Sequence, residues 1–131
     1  MSFLLGQYPN SHGYYGLSGP RPRGLPTILG HFRRAGYRTA AIGKIHCPEY
    51  WVEDDCDFFR ETCPGCSIGG AKEYLAYLAE KGVKEDHTGL FEFGAKGIQS
   101  CDARPSVMKY EDSMEGWIVR QAMKFIASCK N

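Results

Sequence analysis

The sequence predicts an α/β fold. Over residues 25–36, Leu25, Ile28, Leu29 and Phe32 recur at helical spacing, and a β-prone run over 37–42 follows at once. Helix, turn and strand in that order make an αβ unit. Two further segments, 71–81 and 112–129, read as helices with apolar faces. The chain has 131 residues, 43% hydrophobic and 13% aromatic, which is enough for one globular domain with a core.

Residues 1–24 carry Pro9, Gly13, Gly16, Gly19, Pro20, Pro22 and Gly24, and read as an irregular loop behind a short apolar start, Phe3-Leu4-Leu5. In the helix over 25–36, Pro26 suits the first turn, Arg33 and Arg34 complement the dipole in the last, and Gly36 follows the end. The strand runs into Gly43-Lys44-Ile45-His46, and polar residues past such a strand sit where α/β proteins place ligands. Residues 47–70 read as a mixed loop around the acidic cluster Glu53-Asp54-Asp55 and Asp57, a solvated run that is also able to line a cation site. The helix over 71–81 presents Tyr74, Leu75 and Leu78 on one face and stops at Gly82. Residues 83–110 show little periodicity, with a short strand possible at Leu90-Phe91-Glu92-Phe93. In the last helix, Met114, Trp117, Ile118, Ala122, Phe125, Ile126 and Cys129 form a stripe, with Asp112 as cap and Glu115 as its capping-box partner. Three helices and one convincing strand leave a sheet incomplete, because a lone strand cannot satisfy its own backbone groups.

Composition excludes several classes. Lys and Arg number 16 against 15 Asp and Glu, a net charge of +1, which argues against a basic nucleic-acid-binding face. No apolar run approaches the roughly 20 residues of a membrane span. The start, MSFLLGQYPN, lacks the basic and apolar regions of a signal peptide.

The stretch Gly36-Tyr37-Arg38-Thr39-Ala40-Ala41-Ile42-Gly43-Lys44-Ile45-His46 resembles the second motif of the sulfatase family, with Ile45 in place of the usual Trp. Upstream, Phe3-Leu4-Leu5-Gly6-Gln7-Tyr8-Pro9 and His12-Gly13 resemble the tail of that family's first motif, with Leu5 where Thr is usual. Two motifs in order are more specific than either alone, and the resemblance covers residues 3–46 closely and 47–110 loosely. It implies a partial alkaline-phosphatase-like, three-layer α/β fold with an incomplete sheet. The chain would be one partial domain: a loop over 1–24, the helix–strand unit over 25–46, variable loops and a helix over 47–110, and the amphipathic helix over 111–131.

The resemblance further implies hydrolysis of a sulfate ester carried by a sulfated small molecule or glycan. Lys44 would neutralise the sulfate and contact the nucleophile; His46 would orient the hydrated formylglycine and take its proton. Both point one way only if Lys44-Ile45-His46 stays extended. Aligned on Gly6, the family's nucleophile, the residue converted to formylglycine, falls before Met1, and so do the early Asp ligands of calcium. The later Asp-Asn pair and the second Lys and His fall beyond Asn131. The chain is therefore expected to be an internal piece from the N-terminal half of a longer sulfatase, inactive alone and prone to self-association through its incomplete sheet. Family members are often exported or lysosomal. Phosphonate and phosphate monoester hydrolases of the same superfamily share similar motifs.

A reading of a different class comes from the cysteines at 47, 56, 63, 66, 101 and 129. Cys63-Pro-Gly-Cys66 lies close to Cys56, Cys47 and His46, and a small cysteine-rich module with a structural metal would use four such ligands. A second C-x-x-C at finger spacing is missing; a disulfide among these cysteines ranks above the metal, and free thiols rank above both. His12 follows the family pattern but also suits a loop-fixing hydrogen bond; His31, on a helix, and His87, in a loop, read as surface residues.

Overall fold

In a computed structural model of the chain, the described residues are 1–16, 24–45, 52–62, 71–83 and 108–129. They form a mixed α/β arrangement: five helical segments and two short parallel strands. The possible strand at Leu90, together with His46, His87, Cys47, Cys63, Cys66 and Cys101, lies outside the described residues.

The chain opens with two single helical turns, α1 (Ser2–Leu5) and α2 (Pro9–His12), where a loop was expected. Each is ended by a glycine in the left-handed region, Gly6 and Gly13. His12 ties them together. Its buried ring accepts from the Tyr14 amide at Nδ1 (3.0 Å), so Nε2 carries the proton and donates to Ser2 Oγ (3.1 Å). That is the loop-fixing role.

The next helix, α3 (Ile28–Arg34), starts later than the apolar spacing suggests, because Thr27 caps it: its hydroxyl accepts from the Gly30 amide at 3.3 Å. Pro26 therefore lies before the cap. Ile28 and Phe32, expected on the buried face, are 39% and 47% exposed; the helix docks through buried Thr27 and Gly30 instead. The Asp55 carboxylate accepts from the Thr27 amide at 2.7 Å and lies so close to Gly30 that a Cβ there would collide with it.

Strand β1 (Ala40–Gly43) is shorter than the predicted run over 37–42 and ends one residue later. It pairs in parallel with β2 (Phe58–Glu61), in a segment read as loop, with Ala40 opposite Phe58 and Gly43 opposite Glu61. The described residues just before β2 include a 3-10 turn, Glu53–Asp55.

Helix α4 (Lys72–Lys81) begins after Ala71 and ends at Gly82, both in the left-handed region. Tyr74 and Leu78 are buried; Leu75, expected beside them, is 41% exposed. Helix α5 (Met114–Ser128) is capped by Ser113, whose hydroxyl accepts from the Gly116 amide at 3.1 Å. This corrects the assignment of Asp112 as cap. Asp112 sits in a 3-10 turn, Tyr110–Asp112, and its carboxylate faces α4, accepting from the Tyr77 hydroxyl and Lys81 Nζ, each at 2.6 Å. Of the predicted stripe on α5, Trp117 is buried but Ile126 is exposed, as are Val119 and Met123.

The main core lies between α4 and α5: Ala71, Tyr74, Leu78 and Trp117, flanked by Tyr77, Val83, Met108, Met114 and Ile118. Tyr74 and Trp117 meet edge to face at 5.8 Å. The far end of α5 reaches the sheet, where Phe125 stacks on Phe58 at 5.7 Å. Arg38 donates to the Ser128 carbonyl at 3.0 Å, a cation at the helix C-terminus. Among the described residues, no helix is long and apolar enough to cross a membrane.

Candidate functional site

Parallel α/β sheets hold ligands beyond the carboxyl ends of their strands. In this chain that end carries Lys44 and Ile45 after β1, and Glu61 and Thr62 at the end of β2.

Gly43 closes β1 with φ of 113°, a conformation that side chains rarely adopt, although a Cβ there would meet nothing within 4 Å. The glycine is needed for the turn of the backbone and not for space. Lys44 is exposed directly after it and pairs with no carboxylate among the described residues. Whether Lys44 and His46 share a face concerns a residue outside the described ones.

The ladder continues one bond past the strands, from the Thr62 amide to the Gly43 carbonyl at 3.0 Å. A parallel ladder would next take the Ile45 amide to a carbonyl of the β2 chain. The Glu61 side chain supplies an acceptor at this point: Oε1 receives the Ile45 amide at 3.1 Å. Glu61 is only 7% exposed. Beside it, the Thr62 hydroxyl is buried and has no hydrogen-bond partner among the described residues.

The opposite end of the sheet is built the same way. Asp57 Oδ2 accepts from the Thr39 amide at 2.9 Å, and Oδ1 pairs with Arg33 Nε at 3.0 Å. The Thr39 amide bond holds the Asp57 carboxyl below the ordinary carboxylate range; desolvation opposes it, and the nearby Arg33 charge adds a smaller lowering. Arg33 also donates to the Asp54 carbonyl at 3.0 Å, so it clamps the acidic turn.

The acidic run, read as a solvated loop, has Glu53 and Asp54 exposed, but two of its members also do structural work. Asp55 and Asp57 hold backbone amides, and among the described residues no group of three His, Cys, Asp or Glu gathers as a metal site. Cys56 is a free buried thiol with Sγ 3.7 Å from the Glu53 carbonyl, and Cys129 is also free. Burial pushes the Cys56 thiol above its ordinary value, with Asp57 and Glu53 adding to the rise and backbone hydrogen bonds opposing it. His31 is exposed on α3, beside Arg34 at 3.1 Å.

Sequence reasoning singled out Lys44 and His46 but not Glu61 and Thr62, which stand at the same end of the sheet as Lys44. The signal was the pair Phe58-Phe59, a short β-prone run following the acidic cluster. Compared with known proteins, the chain matches no family model, no curated protein and no solved structure.

Proposed function

We propose that this chain is the segment of a sulfatase that carries the Lys44-x-His46 pair, within a larger three-layer, alkaline-phosphatase-like sheet. One observation carries the reading: two sulfatase-like motifs occur in order, and the Lys44 of the second stands one residue past the carboxyl end of a parallel strand. That end is where such folds bind ligands. Lys44 supplies positive charge to the oxygens of a transferring sulfate, and His46 orients the attacking group and takes its proton. The sulfatase nucleophile and calcium, when present, complete the chemistry from parts of the parent protein outside these residues. The substrate is a sulfated small molecule or glycan.

The test extends the reading frame in both directions and assays the resulting protein on a chromogenic aryl sulfate, with aryl phosphate and phosphonate esters alongside. The frame is expected to run upstream through Cys-or-Ser-x-Pro-Ser-Arg, and the extended protein to hydrolyse the sulfate. Lys44→Ala should lower kcat by about 100-fold or more, as loss of a charge-stabilising group does. Preference for phosphate or phosphonate would move the reaction to that branch of the superfamily. Stop codons bounding the frame on both sides would make Lys44 and His46 inherited rather than working residues.

A further inference from the structure

Lys44 follows a glycine whose backbone turns at φ of 113° and whose carbonyl takes the last ladder bond, from the Thr62 amide at 3.0 Å. The next fixed point is the Ile45 amide, and what holds it is the Glu61 carboxylate at 3.1 Å. Lys44 lies between the two. Glu61 is in turn set by its own strand, opposite Gly43 in the register, and its side chain is almost wholly buried. A flexible solvent-exposed carboxylate would define no geometry; a buried one fixed by its strand does.

We propose that Glu61 is a positioning residue for Lys44: by receiving the Ile45 amide, it sets the path by which the chain leaves β1 and so the place of the lysine. The catalytic meaning of this role rests on the sulfatase reading, whereas the positioning itself does not. Glu61 touches no reacting group and acts only through the backbone of 43–45.

The experiment uses the 131-residue chain, ¹⁵N-labelled, with its lysines tagged by reductive ¹³C-methylation and the Lys44 signal assigned through Lys44→Arg. Three proteins are compared: unchanged, Glu61→Gln and Glu61→Ala. Gln keeps an acceptor oxygen in the same place; Ala removes it. In Glu61→Ala the Ile45 amide should exchange about tenfold faster or more, the expected consequence of losing a charge-assisted hydrogen bond. The Lys44 methyl signal should shift in Glu61→Ala and return in Glu61→Gln, while the Lys81 signal stays put in all three. An Ile45 amide that exchanges equally in Glu61→Ala, or a Lys44 signal common to all three proteins, overturns the proposal.

Should Glu61→Ala fail to fold, Glu61→Asp carries the test, because it keeps a carboxylate and withdraws it by one methylene from the Ile45 amide. The Ile45 amide should then exchange faster, and the Lys44 methyl signal should shift, in Glu61→Asp but not in Glu61→Gln. Equal exchange and an unmoved Lys44 signal in Glu61→Asp overturn the proposal. None of these readouts needs turnover, so a failed sulfatase assay with a positive result here would separate the two ideas.

Discussion

At Gly43 and Thr62, two adjacent positions make opposite demands. Gly43 has open space around its Cα and a backbone that a side chain strains. Gly43→Ala should therefore destabilise the chain by about 1–2 kcal/mol, the cost of holding an L-residue in a left-handed conformation. A denaturant melt checks this; an unchanged midpoint would show that the backbone relaxes freely. Thr62 has the reverse problem, a buried hydroxyl with no partner among the described residues. Val has the same shape without the hydroxyl, so Thr62→Val should raise stability by about 1 kcal/mol. A lower melting temperature would mean that the hydroxyl bonds to something in solution. Cys56, buried and with its thiol held protonated, should react with iodoacetamide more slowly than the partly exposed Cys129. Mass mapping after a short pulse reads this directly.

Among the elements, helices were more legible than strands. The two longer helices announce themselves through period and end signals: Gly82 stops α4, and polar residues precede α5. What the period could not separate was which apolar residues face the core. Leu75 and Ile126 lie on the predicted stripes yet stay exposed, because α4 and α5 meet through Tyr74, Leu78 and Trp117 near one end of α5. The cap of α5 was misplaced by one residue, since Asp112 and Ser113 are equally good by type; only Tyr77 and Lys81 on another helix decide that the aspartate turns away. Strand β2 was hidden because four residues carry too little alternation to be distinguished from a loop with aromatics.

The Asp112 contacts have a pH consequence. The bonds from Lys81 and then Tyr77 hold the Asp112 carboxyl below its ordinary value, and the bonds to Asp112 and Tyr77 hold Lys81 above its own. A depressed carboxylate gives stability that is complete above its unfolded value, near pH 3.9, and is lost as pH falls through the lower folded value. A raised lysine gives stability that is complete below its unfolded value, near pH 10.4, and is lost as pH rises through the higher folded value. The contact between α4 and α5 should thus hold across neutral pH and weaken at both extremes. Asp112→Asn should flatten both flanks of a melting-temperature profile against pH; flanks that stay steep would place the titration elsewhere.

For the whole molecule, the described residues place helix packing at one end and a two-stranded parallel sheet at the other, joined by α5. A two-stranded sheet is marginal alone, and parallel strands are usually covered on both faces. The exposed Val119, Met123 and Ile126 on α5 extend this apolar surface. The chain in isolation is expected to self-associate, with a weight-average mass by light scattering that climbs with concentration above the monomer value of 14.7 kDa. A mass that stays at the monomer value would show that these surfaces are covered within the chain. The α/β class was legible because helix, turn and strand occur in order within 25–43, whereas the acidic residues that organise the sheet were not, since sequence separation hides contacts such as Asp55 to Thr27.

Asp57 and Glu61 stand at the two ends of the same strand, and each receives an amide of the neighbouring chain just outside the ladder, Thr39 on one side and Ile45 on the other. Together they act as end stops. A strand slipped by one residue would turn every side chain to the opposite face. Here it would also carry both carboxylates away from their amides at once. The alignment of two very short strands is thereby specified by charge as well as by packing. It also fixes which residue of the second strand stands beside the lysine.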